Sequence, residues 1–146
     1  MANTTKSDLK PRLIAGVAMA TVALALTYAG PLPFAAMVGL VAVLMCWEWG
    51  RVVRGRDFGV AFAAHAATVA VAVGLAAIGD MRLALAALAA GAILVLVAAG
   101  GGRREMSALG VAYVGLPALA LIWFRNDGAL GLYAVLFIFA VVWTSD

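Results

Sequence analysis

Six mainly apolar stretches follow one another along this chain, broken only by short charged or Gly/Pro-rich segments. They cover about residues 13–29, 34–49, 58–78, 83–99, 106–124 and 129–145. A helix needs roughly 20 apolar residues to cross a bilayer, within a range of about 17 to 25, so each run reads as a candidate span. The runs lack the two-residue alternation of a barrel strand, and unpaired backbone groups are too costly in hydrocarbon for any open form, which leaves helices. With 66% hydrophobic residues, 12% charged and a mean hydropathy of +1.10, the 146-residue chain has too little polar surface to cover a soluble globule. The expected fold is therefore all-α: a polytopic membrane protein of about six transmembrane helices, with little chain left for a soluble domain.

The breaks carry their own information. Residues 1–12 form a polar, basic head, and residues 13–146 the transmembrane domain. Gly30-Pro31-Leu32-Pro33 predicts a tight turn, because proline fixes its own φ and removes a backbone donor. Residues 50–57, GRVVRGRD, read as a basic loop, and Gly79-Asp80-Met81-Arg82 and Arg125-Asn126-Asp127-Gly128 as short turns. A signal-peptide reading of the first run is disfavoured, since its 17 residues exceed the usual apolar core of about 7 to 15 and Gly-Pro-Leu-Pro leads straight into a second span.

Basic residues give the orientation. Lys6, Lys10 and Arg12 lie in the head, Arg51, Arg54 and Arg56 between the second and third runs, and Arg103 and Arg104 between the fourth and fifth. The opposite connections carry only Arg82 and Arg125. By the positive-inside rule the head is cytoplasmic, and with six spans so is the other end, where Asp146 stands.

Chemistry has few candidates. Thr144, Ser145 and Asp146 group oxygen ligands at the end of the sixth run, of the hard kind that Mg²⁺ prefers, although a solvated helix end explains the same residues. Trp47-Glu48-Trp49 closes the second run: tryptophans suit a membrane interface, and Glu48 is within helical reach of Arg51. Alternatively Glu48, Arg51 and Arg54 hold an anionic lipid headgroup. His65 lies in the third run among alanines, where it either packs helices together or serves a site. Cys46 is the single cysteine, so there is no internal disulfide. Gly100-Gly101-Gly102 lacks the Gly-Lys-Ser/Thr ending of a phosphate loop and reads as a flexible connection. On composition alone a non-catalytic membrane scaffold or a small transporter subunit stays open.

Four places resemble one family. Residues 130–146, LGLYAVLFIFAVVWTSD, are similar to the entry into the catalytic region of phosphatidate cytidylyltransferases. Trp47-Glu48-Trp49, the run Ala112-Tyr113-Val114-Gly115-Leu116-Pro117, and Lys10-Pro11-Arg12 before the first span match the same family more weakly. The family continues from the VVWTSD wording into a DTGAYFAGR-type segment, a Ser-Pro-Lys-Thr motif and a polar signature. The resemblance thus implies an amino-terminal part that precedes the main catalytic region. It also implies a nucleotidyltransferase of phospholipid biosynthesis, with CTP and phosphatidate as substrates, Mg²⁺ as cofactor, and Asp146 as the first metal-binding, catalytic carboxylate. The expected setting is the bilayer of a bacterial inner membrane, with a second copy of the chain as a candidate partner and no nucleic acid.

Overall fold

In the computed structural model, residues 9–55, 58–100 and 103–145 are described, and they form six α-helices and no strand. These are α1 (Leu9–Ala29), α2 (Pro31–Arg54), α3 (Val60–Ala77), α4 (Met81–Ala99), α5 (Arg104–Arg125) and α6 (Gly131–Ser145). Five of them, α1 to α5, are long and apolar enough to cross a membrane. With 15 residues, α6 reaches only about 22 Å at about 1.5 Å per residue, against a hydrocarbon core of roughly 30 Å. The arrangement is consistent with a multi-pass membrane protein.

Helix ends depart from the hydropathy pattern for identifiable reasons. Pro31 and Pro33 do not interrupt the chain; they begin α2, where a missing N–H costs nothing because first-turn donors have no intrahelical partner. The turn is made one residue earlier by Gly30, at φ 132°. At its other end α2 runs past Trp49 and Gly50 to Arg54, so Arg51 and Arg54 belong to its last turn and not to a loop. Cations there complement the negative end of the helix dipole, and Gly55, left-handed at φ 65°, donates its N–H to the Arg51 carbonyl and ends the helix. Asp80 caps α4 by accepting from Leu83 N–H at 3.0 Å. Asp127 accepts from the N–H groups of Leu130 (2.7 Å) and Ala129 (3.0 Å) ahead of α6, and these bonds hold its carboxyl below the ordinary aspartate value. Their contribution is present above the ordinary pKa and is lost as pH falls through the lowered one.

The core lies among α2, α3, α4 and α5. Phe34, Val38 and Cys46 of α2 meet Val69, Ala72 and Val73 of α3, Ala84, Leu88 and Val95 of α4, and Val111, Val114 and Ile122 of α5. Large apolar side chains also point outward: Leu13, Ile78, Val97 and Phe137 are each at least 70% exposed. Such a surface suits lipid and would be a liability in water. Helices α1 and α6 sit at the edge; α1 is tied to α5 where Arg125 donates through Nε and Nη2 to the Thr27 carbonyl, at 3.2 and 2.9 Å.

Small residues set how closely the four central helices approach. A Cβ on Gly91 would collide with the Cβ, Oγ1 and Cγ2 of Thr68 in α3, and one on Gly115 would come within 2.6 Å of Leu88 Cδ2. Between helices in lipid there is little hydrophobic gain, so close contact through such positions carries the association. Because a threonine Cβ cannot swing aside, Gly91→Ala should push α3 and α4 apart and lower stability by about 1–3 kcal/mol. Gly74, with open space around it, provides the control. Thermal unfolding in detergent should show a lower midpoint for Gly91→Ala and no loss for Gly74→Ala; equal midpoints would contradict the close packing.

Candidate functional site

The interesting chemistry gathers at the end of the bundle where α2 and α4 stop and α3 and α5 start. Trp49, near the end of α2, donates its indole N–H to the Met106 carbonyl at 2.9 Å and packs against Tyr113 with ring centroids 5.0 Å apart. It is therefore locked to α5. Gly110 makes this approach feasible: a Cβ there would run into the Trp49 indole and come within 2.9 Å of His65 Cε1. His65 is fully buried, and neither of its ring nitrogens has a hydrogen-bond partner, although the Gly110 backbone is a close polar neighbour. With no carboxylate or thiol bonded to it, His65 has the surroundings of a packing residue.

Arg54 turns to α5 as well. Its Nη1 donates to Ser107 Oγ at 3.2 Å, Ser107 donates to the Arg103 carbonyl at 3.1 Å, and Arg103 Nη1 returns to the Val53 carbonyl at 3.3 Å. This chain of bonds clasps the last turn of α2 to the first turn of α5. The second amino group of Arg54, Nη2, is buried without an acceptor. Arg54 and Arg103 line a recess of about 840 Å³ together with Phe58, Gly59, Phe62 and Ala98.

The candidate headgroup residues are thereby divided. Glu48 and Arg51 pair with each other at 3.6 Å on the exposed side of α2, and the Arg51 guanidinium lies 4.9 Å from the centroid of the Trp47 ring. Arg54 stands apart from them, joined to Ser107. Asp146 and Arg56 lie outside the described residues. The two hydroxyls before Asp146 donate back along α6, Thr144 to the carbonyls of Ala140 and Val141 and Ser145 to that of Val142, which leaves their lone pairs as acceptors. Among the described residues no three His, Cys, Asp or Glu side chains gather to hold a metal ion. Arg103 and Ser107 were not singled out from the sequence; a basic residue beside a glycine run looks there like a topology signal and nothing more.

Comparison with known proteins agrees with the wording of the spans. Residues 10–146 match the Cytidylyltransferase family. The chain belongs to that family. Similar proteins include the phosphatidate cytidylyltransferases of Brucella abortus biovar 1 (strain 9-941), Brucella suis biovar 1 (strain 1330) and Brucella melitensis biotype 1, each 30% identical over 148 residues. The alignment covers 96% of this chain and 52% of each relative, so the chain spans about half the length of the curated relatives it matches. No solved structure matches it significantly.

The clasp yields a direct expectation. Ser107→Ala takes the acceptor from Arg54 Nη1 and leaves a half-buried guanidinium without a protein partner, a loss of about 1–3 kcal/mol. Chemical unfolding in detergent should register it, whereas Arg104→Gln, at an exposed side chain of the same turn, should change little. An unaffected Ser107→Ala would mean that the bonds between α2 and α5 are not holding this end together.

Proposed function

We propose that this chain is the amino-terminal membrane bundle of an enzyme that joins phosphatidate to CTP, giving CDP-diacylglycerol and pyrophosphate. The observation that carries the reading is the match to the Cytidylyltransferase family over residues 10–146, supported by relatives named phosphatidate cytidylyltransferase. In the proposed reaction an oxygen of the lipid phosphate attacks the α-phosphorus of CTP. A new P–O bond forms, the bond between the α-phosphorus and the α,β-bridging oxygen breaks, and pyrophosphate leaves with the bond electrons.

The proposed topology has six crossings in a bacterial inner membrane, both ends cytoplasmic, with α6 as a short last crossing. Eight of the ten basic residues then face the side that holds nucleotide, and two face away. Asp146 would supply one carboxylate to Mg²⁺ beside the Thr144 and Ser145 oxygens, and the remaining ligands would come from the part of the relatives' length that this chain does not span. A metal held there would offset negative charge on the phosphates. Glu48, Arg51 and Arg54 would contact the lipid headgroup, the two arginines by charge and Glu48 by holding Arg51 in place.

Two experiments test this. Reporters inserted at Gly55 and Gly102 should read cytoplasmic, and those at Gly30, Gly79 and Gly128 external; the reverse pattern would overturn the topology. In the full-length enzyme, Asp146→Asn keeps size and hydrogen bonding but removes the charge. Incorporation of labelled CTP into lipid should fall by about two orders of magnitude or more while membrane insertion persists. Near-normal turnover with an unchanged Mg²⁺ dependence would remove Asp146 from the site.

A further inference from the structure

Among the described residues, the charged side chains that line the recess between the end of α2 and the start of α3 are all positive. Two guanidinium groups, Arg54 and Arg103, line it, and among the described residues no carboxylate lies within ion-pair distance of either. The Glu48–Arg51 pair lines an adjoining depression with Val52 and Gly55, which the recess shares. Arg54 uses one amino group on Ser107 and keeps the other without an acceptor. A sheltered donor of this kind is costly to leave unmade, and a guanidinium is shaped to present two parallel N–H groups to a phosphate or carboxylate.

A third source of positive potential lies in the same wall. Helix α3 starts at Gly59, and among the described residues no side chain caps it; the residues of its first turn, Val60, Ala61 and Phe62, line the recess. Uncapped first-turn amides and the positive end of the helix dipole favour an anion. The remaining wall is apolar. Phe58 and Phe62 meet edge to face with centroids 5.4 Å apart, and Val52 and Ala98 complete it. Compact positive charge beside an apolar wall fits a phosphate carried on an apolar or amphiphilic body.

We infer that this recess is a phosphate-binding site, in which Arg54, Arg103 and the amino end of α3 hold a phosphate group borne by an anionic phospholipid or free in solution. The inference deepens the headgroup reading above and rests on it only for Arg54; Arg103 takes the place that Glu48 and Arg51 hold there. The Arg54 amino group meets the ligand by turning about the last torsions of its side chain while Nη1 stays near Ser107. Without a ligand, the same two arginines act as a clasp on the end of α2 through Ser107 and the Val53 carbonyl. A clasp alone predicts no stabilisation by phosphate, and that separates the two roles.

The test reads ligand-dependent thermal stability of the purified protein in nanodiscs of phosphatidylcholine. One arm adds phosphatidylglycerol, which carries a headgroup phosphate without being the substrate proposed above; the other titrates inorganic phosphate. A ligand that binds the folded protein raises its unfolding midpoint by mass action. The wild type should respond in at least one arm: a response to the lipid alone assigns the site to headgroups, and a response to inorganic phosphate assigns it to free phosphate. Arg54→Gln should weaken the apparent affinity about tenfold or more, the scale of one lost charge-assisted bond. Ala98→Phe adds bulk to the wall of the recess while leaving both arginines in the sequence and should also weaken the apparent affinity, which keeps the test decisive if Arg54→Gln fails to fold. Arg104→Gln removes an equal charge nearby and should stay within about twofold. No response of the wild type in either arm, or an Arg104→Gln effect as large as that of Arg54→Gln, would overturn the site. CTP turnover is not read, so the recess and the nucleotidyl-transfer assignment fail or stand separately.

Discussion

In a bilayer, one apolar helix gains little by exchanging lipid for another apolar helix, so association depends on how closely backbones can approach. Here that approach is set at three glycines. Gly91 admits Thr68, Gly115 admits Leu88, and Gly110 admits Trp49 together with His65. The third contact governs the end of the bundle that carries the polar chemistry. Because α5 comes close enough at Gly110 for Trp49 to reach the Met106 carbonyl, Arg54 also comes within reach of Ser107, and the recess forms beside them. His65 takes part in this packing, fully buried with its Cε1 against Gly110.

Much of this was legible in the residues. Apolar runs and their breaks located all six helices, and the pairing of Glu48 with Arg51 followed from their helical spacing. Helix ends were less legible, because hydropathy reports where charge begins and not where hydrogen bonding stops. Arg51 and Arg54 look like a loop by charge, yet the helix continues until Gly55 adopts a conformation open to glycine. Pro31 and Pro33 look like a break, yet they occupy positions in which proline starts a helix. The clasp was illegible for a different reason: Arg54 and Ser107 are 53 residues apart, and a single side-chain bond at that separation leaves no pattern along the chain. Asp146, on which the proposed chemistry turns, lies outside the described residues, and its placement rests on the sequence alone.

The described residues divide into a packed centre and a lightly buried flank. Helices α2 to α5 share one buried core, whereas α6 buries only Gly131 and Val135, and among the described residues of α1 only Thr27 is buried. Under the proposed function, the metal-binding carboxylate would stand at the end of α6, on the flank, while the packed centre would supply the headgroup contacts of α2.

That division is the central structural claim, and distances between spin labels in nanodiscs test it most directly. With Cys46 replaced by alanine, labels at the outward positions Val97 of α4 and Leu109 of α5 should give one narrow distance distribution. Labels at Met19 of α1 and Val97 should give a broader one, because α1 adds little to the shared core. Equally narrow distributions for both pairs would show that the flank is as firmly held as the centre and would contradict the account.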